Sequence, residues 1–208
     1  MAMAVTPMEP DVTYLALGDS YTIGESVDEA GRWPVQLAKR LRDEGVSIGA
    51  PRIVAKTGWT TDELSAAMDA AALAPRYGFV SLLIGVNNQY RGRELDEYER
   101  EFAALLARAI ALAGGRADRV LVLSIPDWGT TPFAEGRVRR QIALDIDAFN
   151  AAAKAECERR GVAYVDVTGI SRERRELVAG DGLHPSAEQY TLWAEAALPV
   201  AEKLLGSK

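Results

Sequence analysis

Short, nearly unbroken apolar runs recur five times along the chain, at residues 12–17, 52–55, 79–84, 119–124 and 162–167. They are rich in aliphatic and β-branched residues and do not alternate apolar with polar, which is the pattern of parallel strands covered on both faces. Between them the apolar positions change to helical spacing. Trp33, Leu37 and Leu41 share one face of a first helix, with Pro34 near its start. Leu95, Tyr98, Phe102, Leu105, Leu106 and Ala109 form the stripe of a longer helix, and Ile142, Ile146, Phe149, Ala153 and Cys157 that of another. The last helix opens on Ser186 and Gln189 in capping-box register and runs through Tyr190, Trp193 and Ala197 towards Leu205.

Strand followed by helix, repeated five times, predicts an α/β fold: a three-layer α/β/α sandwich around a five-stranded parallel sheet with right-handed crossovers. Five strands favour a flavodoxin-like order over the six-stranded dinucleotide fold, whose G-x-G-x-x-G fingerprint is absent. No repeat, low-complexity tract or linker interrupts the pattern. Residues 1–208 therefore read as a single domain, of which residues 1–10 are expected to be a flexible N-terminal segment.

Composition narrows the chemistry. A chain of 208 residues can bury about 70% of its unfolded surface around one core without a staple. One His and one Cys cannot build an internal disulfide, a Cys/His zinc site or a Cys-x-x-Cys centre, so any metal would have to sit on carboxylates; none is expected, and no cofactor either. The net charge of −6 argues against a nucleic-acid partner, whose binder is usually strongly basic. The first ten residues hold neither a basic cluster nor an apolar run, so no signal peptide is expected and a cytoplasmic location is. The longest uncharged stretch, residues 77–90, is too short to span a membrane.

In such sheets ligands bind at the carboxyl ends of the strands, so the loops that follow them matter most. After the first strand come Gly18, Asp19, Ser20, Tyr21 and Thr22. A serine at this strand-to-helix turn can project its hydroxyl from the sheet edge as a nucleophile does; an ordinary polar turn is the alternative. After the second strand, Gly58 can present its backbone N–H without a side chain in the way, as an oxyanion donor would, or simply turn the chain before a helix capped by Thr60 or Thr61. After the third strand, Asn87 offers a side-chain amide to the same point, or makes a turn. Beyond the fifth, Asp181 precedes His184 by three residues across a Gly. That spacing lets the carboxylate accept the ring N–H and leave the other nitrogen as a base.

These four blocks together resemble the SGNH (GDSL-type) hydrolases, a family of lipases and esterases, over nearly the whole chain from Gly18 to His184. The resemblance implies the flavodoxin-like SGNH hydrolase fold and a serine esterase acting on small-molecule carboxylic esters. It makes Ser20 the nucleophile, His184 the general base and Asp181 its orienter, with an oxyanion hole from the N–H groups of Ser20 and Gly58 and the amide of Asn87. Tyr21 and Asn88 depart from the family pattern, which more often has Leu and Asp there. Rival readings are a thioesterase or acyltransferase with the same triad, a carbohydrate O-acetyl esterase, and a non-enzymatic flavodoxin-like binding module.

The remaining features receive plainer readings. Gly45, Val46, Ser47, Ile48 and Gly49 match the G-x-S-x-G elbow, but a helix precedes them and a strand follows, the reverse of what an elbow needs. Tyr21, Trp59, Tyr90 and Trp128 read as packing residues that are able to stack an aryl group or sugar. Residues 126–133, marked by Gly and Pro, are expected to wall the acyl pocket, and the absence of a large apolar insertion favours short acyl groups. Cys157 reads as core. Arg137, Arg139 and Arg140 read as a solvated helix start and Arg172, Arg174 and Arg175 as a solvated loop, with an anionic substrate as the alternative contact.

Overall fold

The apolar runs become one parallel sheet in the order β2-β1-β3-β4-β5 in the computed structural model, which describes residues 10–206. The strands are β1 (Val12–Gly18), β2 (Ile48–Ala55), β3 (Phe79–Leu83), β4 (Val120–Leu123) and β5 (Ala163–Val165). The first nine residues of the segment expected to be flexible lie outside the described residues. β2 starts four residues before the expected Arg52, because Pro51 does not end it. It is an edge strand, where a missing N–H is tolerated, and the register against β1 shifts between Val12 and Tyr14 as Pro51 comes opposite Tyr14.

The helices are α1 (Ser20–Ile23), α2 (Trp33–Asp43), α3 (Thr61–Ala70), α4 (Val86–Tyr90), α5 (Leu95–Leu112), α6 (Arg139–Arg160), α7 (Thr168–Glu173) and α8 (Ala187–Gly206). α2 packs on α8, while α3, α5 and α6 pack side by side. Every residue of the three sequence-read stripes on α2, α5 and α6 is buried except Leu95, which is half-buried against the core. Such burial contributes about 25 cal/mol per Å² of apolar surface removed from water, and that contribution holds the layers together. Cys157 lies fully buried in this core, and burial pushes its thiol up to about 12.

The capping box expected at α8 is only half made. Ser186 Oγ accepts the N–H of Gln189 at 3.3 Å, but the Gln189 amide donates instead to the carbonyls of Leu177 and Arg174, at 2.9 and 3.3 Å. The side chain thus ties the approach loop to the helix rather than closing the cap. The complete box lies at α3, where Thr60 is the N-cap and its N–H donates to Glu63 Oε2 at 2.9 Å. Among the described residues no helix is long and apolar enough to cross a membrane.

Candidate active site

Four of the five expected site residues, Ser20, Gly58, Asn87 and His184, line one pocket of about 160 Å³ at the carboxyl edge of the sheet. They reach it from the segments that follow β1, β2, β3 and β5. Asp181 stands behind His184, outside the lining. Ser47 lies instead just before β2, at the opposite end of the strands, where its hydroxyl accepts the N–H of Asp11 at 3.2 Å.

Ser20 is the first residue of α1, and Asp19 is its N-cap, with Oδ1 accepting the N–H of Tyr21 at 3.0 Å. Asp19 is fully buried and its Oδ2 has no hydrogen-bond partner. Burial pushes its carboxyl up to about 7, against the opposing effect of the Tyr21 and Asp19 N–H groups.

The imidazole is held from two sides. His184 Nδ1 lies 2.6 Å from Asp181 Oδ2, and Asp181 Oδ1 accepts the N–H groups of Leu183 and His184, each at 2.9 Å. Ser26 Oγ donates to Asp181 Oδ2 at 2.7 Å. Burial acts to raise this carboxyl, but the hydrogen bonds from Ser26, His184 and Leu183 outweigh it and hold Asp181 well below the usual carboxylate range. A carboxylate that stays ionised keeps the proton on Nδ1 and leaves Nε2 with its lone pair. On the other side the buried Tyr21 ring meets His184 edge-on at 5.7 Å and Trp193 at 6.1 Å. The unusual Tyr after the serine therefore braces the imidazole. No hydrogen bond joins Ser20 Oγ to His184 among the described residues; contacts of this kind often tighten only with substrate bound.

The donor side is assembled differently. Gly58 has φ +87°, a conformation that side chains disfavour, and an added Cβ would meet only the Arg91 guanidinium at 3.7 Å, so the backbone rather than space demands glycine. Among the described residues the N–H groups of Ser20 and Gly58 have no hydrogen-bond partner. Asn87 Nδ2 spends one hydrogen on the Trp59 carbonyl at 2.9 Å and keeps the other for an acceptor in the pocket. The neighbouring Asn88 is buried: its Nδ2 donates to Thr61 Oγ1 at 2.6 Å and its Oδ1 accepts the Thr61 N–H at 3.1 Å. The Thr61 hydroxyl in turn donates to Glu101. That hydroxyl has a single proton, already committed to a carboxylate, so its other neighbour must be a donor. Asn fits there and Asp does not. Arg91 Nη2 completes the clamp by donating to the Gly58 carbonyl at 2.6 Å.

Tyr90, Trp128 and Phe133 wall the pocket, so residues 126–133 lie where expected. Trp128 Nε1 donates to Gln89 Oε1 at 2.8 Å, and Trp59 meets Asn87 through its carbonyl. Two expectations need correction. Arg137 is not merely solvated, because its guanidinium lies over Tyr90, Trp128 and Phe133 at 5.2–5.5 Å and donates to the Tyr90 hydroxyl at 3.2 Å. Arg139 likewise donates to the Gly129 carbonyl at 2.5 Å. Nor is Arg172 on a solvated loop: it belongs to α7 and bridges Asp127 and Asp147, each at 2.8 Å. Sequence reasoning did not single out Ser26, Thr57, Gln89 or Arg91, and no local signal marks them, since each acts on a residue distant in the chain.

A model of the GDSL-like Lipase/Acylhydrolase family matches residues 16–192. No curated protein matches by sequence. Among solved structures, TesA superposes with a TM-score of 0.72 at 23% identity, covering 93% of this chain and 99% of that one. The acetylxylan esterase Axe2 from Geobacillus stearothermophilus gives 0.71 at 19% identity, over 97% and 98% of the two chains. The psychrotrophic esterase EstA from Pseudoalteromonas sp. gives 0.69 at 17% identity, over 95% and 100%. At these identities the likeness concerns the fold.

Proposed function

The chain belongs to the GDSL-like lipase/acylhydrolase family, whose members hydrolyse carboxylic esters, and we propose that it is a serine esterase of small, short-acyl esters working through Ser20, His184 and Asp181. The observation that carries this reading is the meeting of Ser20, His184 and three unspent N–H donors in one pocket, with Asp181 fixing the imidazole at 2.6 Å. His184 Nε2 takes the Ser20 proton as Oγ attacks the ester carbonyl. The oxyanion is met by the N–H groups of Ser20 and Gly58 and the Asn87 amide. The C–O bond then breaks, His184 gives its proton to the departing alcohol, and Ser20 carries the acyl group. Water, deprotonated by His184, attacks that acyl-enzyme, and Ser20 recovers its proton as the acid leaves.

The pocket limits the acyl group. Its volume is about 160 Å³, and Tyr90, Trp128 and Phe133 bound it. Turnover of p-nitrophenyl esters is expected to be greatest for acetate to butyrate and to fall with longer chains. Rising kcat/KM towards palmitate contradicts the short-acyl assignment.

A carbohydrate O-acetyl ester is the second reading. Tyr90 and Phe133 stand 43% and 41% exposed beside the pocket, offering aromatic surface on which a sugar can stack. Acetylated xylooligosaccharides turned over with a lower KM than p-nitrophenyl acetate support it, and equal or weaker binding opposes it.

A further inference from the structure

Ser26 is the one non-glycine residue among those described whose backbone lies in the left-handed region, with φ +64°. A serine gains nothing locally from that conformation, and residues held in it cluster where surrounding structure or function requires them. The turn that carries it touches three parts of the site. The N–H groups of Gly24 and Glu25 both donate to the carbonyl of Ser20. The Glu25 carboxylate accepts the hydroxyl of Thr57, the residue before Gly58. The Ser26 hydroxyl, 155 residues from its partner in the chain, donates to Asp181 at 2.7 Å, on the same oxygen that faces His184 Nδ1.

We propose that Ser26 is a positioning residue of the hydrolytic site, whose hydroxyl fixes the Asp181 carboxylate, and through it the His184 imidazole, relative to the backbone of Ser20. This rests on the reading of Ser20, His184 and Asp181 as the triad. Oδ2 of Asp181 is shared between a hydroxyl and a ring N–H, so the carboxylate cannot turn about its Cβ–Cγ bond without breaking one of them. Because Glu25 N–H bonds the Ser20 carbonyl and Ser26 is the next residue, the acid–base loop is referred directly to the chain of the nucleophile. Ser26 and Asp181 are both exposed, so their bond adds little to stability, and its effect is on orientation.

Ser26→Gly separates the two roles, because glycine accepts φ +64° freely and lacks the hydroxyl. The variant is expected to melt at or above the wild-type temperature while kcat on p-nitrophenyl acetate falls about tenfold at unchanged KM, the size of a lost hydrogen bond to a charged group. In an Asp181→Ala background, where the hydroxyl has no carboxylate to hold, the same substitution should change kcat by less than twofold. Wild-type kcat in Ser26→Gly, or an equal loss in both backgrounds, overturns the proposal. Ser20→Ala, measured alongside, tests the triad separately: if it retains turnover, the underlying reading fails whatever Ser26 does.

Discussion

The two halves of the pocket are built on opposite principles. The acid–base half is mostly local: Asp181 and His184 are three residues apart, and the carboxylate gathers the N–H groups of Leu183 and His184 and the ring N–H, with the Ser26 hydroxyl as its one partner from far along the chain. The donor half is tertiary: Gly58 comes from the loop after β2 and Asn87 from α4 after β3, and they are kept in register by Asn87 on the Trp59 carbonyl, Arg91 on the Gly58 carbonyl and Asn88 on Thr61. A local motif can be recognised from a few residues of sequence. A tertiary one depends on side chains whose purpose appears only when the helix after β3 is laid beside the loop after β2.

The halves should also fail differently. His184→Ala removes the proposed base and is expected to lower kcat by roughly 10⁶-fold, as loss of a triad member does elsewhere. Asn87→Ala removes one of the three proposed oxyanion donors and should cost about 10²–10³ in kcat with KM nearly unchanged. Comparable losses for the two, measured on p-nitrophenyl acetate, would erase the distinction between chemistry on one side and stabilisation on the other. Asn88→Asp probes the tertiary side more finely. It sets a second carboxylate against the Thr61 hydroxyl already given to Glu101, so it should lower the melting temperature, reflecting the ~1–3 kcal/mol cost of a buried polar group left unsatisfied. Restoration of stability by Glu101→Gln in the same chain would identify the proton shortage as the cause, and no restoration would discount it.

An effect on stability alone, read through its pH dependence, concerns Asp19, the residue before Ser20. Its folded-state pKa, near 7, lies above the unfolded 3.8, so the folded protein holds the proton more tightly. Stability from this group is therefore full below about pH 4, declines as pH rises through 4 to 7 and is lost above that window. Asp19→Asn keeps an oxygen for the Tyr21 N–H and cannot ionise. Its melting temperature relative to wild type should climb between pH 4 and pH 8, and parallel curves for the two proteins would show that Asp19 does not titrate in this way.

Much of this was legible in the sequence. The strands and the buried stripes of α2, α5 and α6 follow from apolar spacing, and the meeting of Ser20, Gly58, Asn87 and His184 at one sheet edge follows from their places after β1, β2, β3 and β5. The short helices α1, α4 and α7 left no trace because fewer than two turns give no periodicity. Pro51 hid the first half of β2, since a proline that ends a central strand is tolerated at an edge. Gln189 promised a capping box from its spacing alone, but the carbonyls of Arg174 and Leu177, brought near by the tertiary fold, competed for its amide. Arg137 and Arg172 were misread for a common reason: an arginine's partners are chosen in space, here three aromatic rings and two aspartates.

The central claim is that Ser20 is a nucleophile activated by His184 in a pocket open to small reagents. Its most direct test is the intact mass of the protein after exposure to a fluorophosphonate, followed by peptide mapping. One adduct per chain on Ser20, absent in Ser20→Ala and formed far more slowly in His184→Ala, is the predicted result. An unmodified protein, or an adduct that persists in Ser20→Ala, contradicts it.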